Sequence, residues 1–153
     1  MLSMETLESM LQSIAHRGPD GQGTCSFVCA GTGHQVFLGH RRLAIIDPEG
    51  AHQPMCDADA GLALTFNGEI YGYRKLADEL RGAGIPLRDR SDTEVLFQLI
   101  RRDGVRRAVE CIDGMFTFAY RDGAAGWFSR RLRASSGLFS CRSSTTSPAV
   151  AGK

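Results

Sequence analysis

No stretch of this chain is apolar for the ~18 consecutive residues that a membrane span needs. Its opening residues, Met1-Leu-Ser-Met-Glu5, lack the basic and apolar segments of a secretory leader. A cytoplasmic location with no membrane partner is therefore expected. Neither sign of charge is in excess: 18 Lys and Arg stand against 17 Asp and Glu, which gives no reason to expect nucleic acid as a partner. The cysteines do not make a disulfide framework, since Cys25, Cys29, Cys56, Cys111 and Cys141 are odd in number and unevenly spaced. Cys25 and Cys29 lie near His34 and His40 in the sequence, but no second pair completes the four ligands of a zinc site, so no metal is expected. A P-loop, a GxGxxG fingerprint, a GxSxG elbow and internal repeats are also missing. What is present is enough chain for one domain with a sizeable core.

The hydrophobic spacing gives the elements in order. Met4, Leu7, Met10, Leu11 and Ile14 predict an amphipathic helix over Met4–Ala15, ended by the Gly18-Pro19 pair in His16-Arg-Gly-Pro-Asp-Gly21. Cys25–Ala30 and Gln35–Gly39 predict a hairpin whose second strand continues through His40-Arg-Arg-Leu-Ala-Ile-Ile46. Ala51–Gly61 is a polar loop containing Gln53-Pro-Met55. Leu62–Phe66 is a strand that stops at Asn67-Gly68, a pair that is a strong hairpin-turn signal. Helices follow over Tyr73–Arg81 and from Ser91, where Ser91 and Glu94 form a capping-box pattern, to about Arg102. Gly104 separates the latter from a further helix, Val105–Ile112, and Gly114–Tyr120 is a strand. Antiparallel strands with segregated helices indicate an α+β fold built in layers.

Two features ask for more than a structural reason. Consecutive Arg41 and Arg42 in an apolar strand suit either an edge that resists aggregation or a fork that holds a carboxylate. The Asn67-Gly68-Glu69 turn at a strand end offers an amide, a backbone N–H and a carboxylate, and Asp92 opens a helix. Together these groups suit a zwitterion that also carries an amide: carboxylate on Arg42, ammonium on Glu69 and Asp92, amide oxygen on the Asn67 and Gly68 donors.

Six segments then fall in order at suitable spacing: HRGPDG from His16, GHRRLAIID from Gly39, Gln53-Pro-Met55, FNGEIY from Phe66, SDTEVL from Ser91 and GMFTFA from Gly114. Over about residues 4–122 the chain closely resembles the glutaminase domain of glutamine-hydrolysing asparagine synthetases, a class II (Ntn-type) glutamine amidotransferase. The resemblance implies a four-layer αββα sandwich and L-glutamine as ligand. It implies that Arg42, with the backbone of Leu43, Ala44, Ile45 and Ile46, holds the glutamine α-carboxylate. It further implies that Asn67 and Gly68 form the oxyanion hole and that Glu69 and Asp92 surround the ammonium.

The chain also departs from that family. The family nucleophile is a cysteine at the mature N-terminus, leading into the first strand, and its own α-amine assists proton transfer. Here no cysteine precedes Cys25, so the first strand is expected to be missing and no catalytic residue is assigned. ATP and magnesium belong to the family's synthetase domain, which has no counterpart here, so no cofactor is expected in this chain. Residues 1–126 are expected to form a truncated amidotransferase domain, and 127–153 a degenerate, disordered tail of Ser, Thr, Ala, Gly, Pro and Arg. The expectation is a fragment of a ligase with glutaminase activity, which supplies ammonia for ATP-dependent amidation of aspartate. As given, the fragment should be inactive. The alternatives are a non-catalytic glutamine-binding module and a non-functional gene remnant. These residues fix neither the acceptor nor an oligomeric state.

Overall fold

The computed structural model describes residues 3–28, 33–45, 47, 50–123 and the backbone of 126–132. Ser3 starts helix α1 (Met4–Ser13) by accepting the Thr6 N–H at 3.3 Å, and a single 3₁₀ turn, Ala15–Arg17, follows it. Strands β1 (Gly21–Val28) and β2 (Gln35–Arg42) form the expected hairpin, though β2 ends at Arg42 rather than running on to residue 46. A second antiparallel sheet has the order β3 (Met55–Asp57), β4 (Leu62–Tyr71), β5 (Asp113–Asp122), β6 (Gly126–Leu132). Between β4 and β5 come α2 (Tyr73–Gly82) and α3 (Asp92–Glu110), the latter broken at Gly104 (φ 80°, ψ 161°), where the sequence divides it.

Strand alternation sorts these elements into four layers. On β2, Gly39 backs onto Leu7 and Leu11 of α1, while His40 on the opposite face reaches Thr65 of β4 at 3.0 Å. On the second sheet Leu64, Phe66 and Ile70 of β4 join Phe116, Phe118 and Tyr120 of β5 against α2 and α3. The opposite face carries Thr65 and Arg121 toward the first sheet, with the Arg121 guanidinium 4.4 Å over the Phe27 ring. The order is thus α1, the β1–β2 sheet, the four-stranded sheet, then α2 with α3: the expected αββα sandwich. Among the described residues no helix is long and apolar enough to cross a membrane.

Three further expectations are corrected. Asn67-Gly68 is neither a turn nor a strand end. β4 continues to Tyr71 and pairs with β5 from Ala63↔Arg121 to Tyr71↔Asp113. Gly68 lies at φ 144°, and a Cβ there would run into the Met115 carbonyl and the Phe116 Cα. The loop after Gly50 contains β3, which is too short to show a period. Residues 126–132 form β6 on the edge of β5, past the boundary placed at 126. Arg130 and Arg131 on this edge conceal its strand pattern. The rest of the expected tail, 133–153, lies outside the described residues.

Candidate functional site

A cavity of about 600 Å³ opens between the end of β2, the second half of β4 and the N-terminus of α3, within the about 300–1,000 Å³ usual for small-ligand sites. Arg42, Leu43, Ile45, Asn67, Gly68, Glu69 and Asp92 all line it, so the fold brings most of the expected site residues to one place. Ala44 does not line it, and its N–H is committed to Asp20 Oδ2 at 2.8 Å. Ile46 lies outside the described residues.

The arginine side is built by the loop after α1. The Asp20 N–H donates to the Arg42 carbonyl at 3.0 Å while the Asp20 carboxylate takes Ala44, so one residue clamps the exit of β2. Arg42 Nη2 donates to the Asp47 carbonyl at 2.6 Å, which sets the guanidinium at the rim of the cavity. Arg41 donates to Gln22 Oε1 at 2.8 Å, and its Nε is buried without a partner among the described residues. Arg17 completes this cationic side.

The acidic side is built by β4 and α3. Ser91 caps α3 by accepting the Glu94 N–H at 3.0 Å. Only half of the capping box forms. The Ser91 N–H donates to Asp89 instead, and buried Glu94 turns to Arg88 and Gln98. Asp92, the first residue of α3, is buried and accepts the Ile70 N–H at 3.0 Å. Burial pushes its carboxyl above the ordinary carboxylate range, the backbone N–H groups oppose that shift, and neighbouring Glu69 adds to it. Glu69 itself is exposed at the mouth. Burial, and then Arg42, lower the pKa of His40 to about 4, so the ring is neutral at neutral pH.

Gln53 is the lining residue whose role the sequence did not reveal. Its Oε1 accepts the Phe66 N–H at 2.6 Å and its Nε2 donates to Thr93 Oγ1 at 3.4 Å, so it ties β4 to the start of α3 just before Asn67. The available signal was the Gln-Pro pair inside an otherwise polar loop. No cysteine is among the described lining residues. The Ser91 hydroxyl donates to Asp89 Oδ1 at 2.6 Å and serves as a cap, so it is not poised as a nucleophile. A cationic wall facing two carboxylates, with an amide side chain on the strand that carries one of them, suits a zwitterion with a further polar group. Among the described residues no group of three or more His, Cys, Asp or Glu could hold a metal ion.

The family model described as a glutamine amidotransferase domain matches residues 2–131. The chain is 40% identical over 114 residues to asparagine synthetase [glutamine-hydrolyzing] 1 of Bacillus subtilis, covering 74% of this chain and 17% of the relative. It is 37% identical over 109 residues to asparagine synthetase [glutamine-hydrolyzing] 3 of Arabidopsis thaliana, covering 71% and 17%. The chain therefore spans about a sixth of the length of these relatives. In fold it is similar to the glutamine phosphoribosylpyrophosphate amidotransferase of B. subtilis, solved in complex with ADP and GMP. That match has a TM-score of 0.59 and 22% identity, and covers 74% of this chain and 31% of the other.

Proposed function

The chain belongs to the glutamine amidotransferase domain family, and on that premise we propose that it is the glutamine-binding part of a glutamine-hydrolysing asparagine synthetase. The observation that carries this reading is the convergence of Arg42, Asn67, Gly68, Glu69 and Asp92 on one cavity. Arg42 takes the α-carboxylate of L-glutamine, and Glu69 and Asp92 take its ammonium. The Asn67 amide and the Gly68 N–H donate to the side-chain carbonyl oxygen and, more strongly, to the oxyanion that forms on nucleophilic attack. Each such donor is worth about 3 kcal/mol in an acyl-transfer site. Gln53 and Asp20 position these groups through the backbone of β4 and of the segment after β2.

In this family the nucleophile is a cysteine thiolate beside the amide carbon, and no described residue lining the cavity supplies one. This chain by itself therefore binds glutamine and does not cleave it. On this reading the amidation of aspartate, with ATP and magnesium, belongs to the part of a glutamine-hydrolysing asparagine synthetase that this chain does not span.

Titration calorimetry tests the binding. Millimolar or tighter binding of L-glutamine is expected, weakened at least about tenfold in Arg42→Ala through loss of a charge-assisted pair. Absence of binding by a cooperatively folded protein sinks the reading. Glutamate release by the purified chain that is abolished in Asn67→Ala overturns the non-hydrolytic part alone.

A further inference from the structure

The sequence groups Cys25 with Cys29, but the fold sets Cys25 against Cys56. Gly23, Cys25 and Phe27 share one face of β1, and their register partners are His40, Leu38 and Val36. That face meets the second sheet at three points. His40 bonds Thr65, Phe27 lies under Arg121, and Gly23 approaches the Gln53 carbonyl so closely that a Cβ would collide with it. Cys56 pairs with Ala63, which pairs with Arg121, so Cys56 lies on the face turned toward β1. Going two residues beyond the Gly23–Pro54 approach on each strand sets Cys25 opposite Cys56 across the two sheets. Both cysteines are only partly buried and both are free.

We propose that Cys25 and Cys56 form an oxidant-sensitive dithiol that a hydroperoxide converts into a disulfide between the two sheets, with Cys56 reacting first and Cys25 resolving. The two thiols are not equivalent. The neutral Cys56 thiol donates to the Pro54 carbonyl at 3.6 Å, and once ionised it accepts the Cys25 S–H. That hydrogen bond, helped by the Arg88 guanidinium, draws the Cys56 pKa down to about 7 against the opposing effect of burial. Arg88 is held at this strand by donating to the Cys56 carbonyl at 3.2 Å. The same hydrogen bond, with burial, pushes Cys25 well up, so it stays a thiol until its partner is oxidised.

In the first step the Cys56 thiolate attacks a peroxide oxygen and the O–O bond breaks. Cys56 becomes a sulfenic acid, and the other oxygen leaves with a proton as water or alcohol. Cys25 sulfur then attacks Cys56 sulfur, the S–O bond breaks, and hydroxide leaves as water with the Cys25 proton. The peroxide gains two electrons and the two thiols lose them. The resulting link lies next to Gln53, whose side chain holds β4 at the cavity, so oxidation ties the sheets together beside the site.

The test treats the purified full chain with hydrogen peroxide, blocks the remaining thiols, and maps peptides by mass spectrometry. The expected product is a Cys25–Cys56 peptide pair lighter by two hydrogens and reversed by a dithiol reductant. It should form at least about tenfold faster in the native chain than in urea, because only the fold presents the pair. In Cys25→Ser a dimedone-trapped sulfenic acid should accumulate on Cys56, whereas in Cys56→Ser labelling of Cys25 should be at least about tenfold slower. Native oxidation that yields no such pair overturns the proposal. So does pairing with Cys29, Cys111 or Cys141 at equal frequency. Equal dimedone labelling of Cys25 and Cys56 in the single variants overturns the order of reaction.

Discussion

His40 and Asp92 titrate in opposite senses within one cavity. With its pKa lowered from 6.5 to about 4, His40 is kept neutral in the folded protein while the unfolded chain can protonate it. Its contribution is complete above pH 6.5 and is lost as pH falls through that value toward about 4. The magnitude is on the order of 2 kcal/mol after allowance for its remaining contact with water. Asp92 behaves in the reverse way. Its carboxyl is raised from 3.8, so its contribution is greatest where it is protonated and falls as pH rises through its folded value. Urea denaturation across a pH series should show that His40→Gln flattens the loss of stability between pH 6.5 and about 4. Asp92→Asn should make stability decline less on going up to neutral pH, while weakening glutamine binding. The residue types in the site were legible in the sequence because charge and hydrogen-bonding capacity are properties of the residues themselves. The clamping roles of Gln53 and Asp20 were not, because each depends on a backbone group brought to it by folding.

At the scale of elements, β4 holds the largest surprise. Asn-Gly favours a turn when its neighbours leave it free to choose. Here the ladder to β5 continues across it, with Asn67↔Thr117 and Gly68↔Phe116, and overrides the local preference. Glycine is needed at 68 both for its φ of 144° and because the Met115 and Phe116 backbone occupies the Cβ position. Gly68→Ala should therefore cost more than about 2 kcal/mol in chemical denaturation and also abolish glutamine binding. Ser91→Ala should cost about 1–2 kcal/mol through loss of the α3 cap. It should weaken binding as well, because the cap sets the position of Asp92. The helices were legible from capping and from the break at Gly104, since those signals act within one turn. β3 and β6 were not, since a three-residue strand shows no period and an arginine-bearing edge resembles loop.

At the scale of the whole molecule, α3 is the element on which the site depends. Phe97 is fully buried among the β4–β5 aromatics and the α2 face, and the Arg88 guanidinium covers it at 4.6 Å from the ring centroid. Phe97→Ala should destabilise the fold by about 3–5 kcal/mol. It should also lower the urea midpoint without changing which residues line the cavity, which residual glutamine binding by the folded fraction would verify. By itself the sequence determined the helices, the β1–β2 hairpin, the layered α+β class and the residue types of the site. Each of these is written in spacing, capping or side-chain chemistry a few residues across. Only the tertiary structure decided that β4 runs on through Asn67-Gly68, that Gln53 ties that strand to α3, and that Cys25 faces Cys56. Those outcomes depend on which strands pair and which sheet faces stack. The free energy of such pairings comes from partners distant in sequence, which no local pattern encodes.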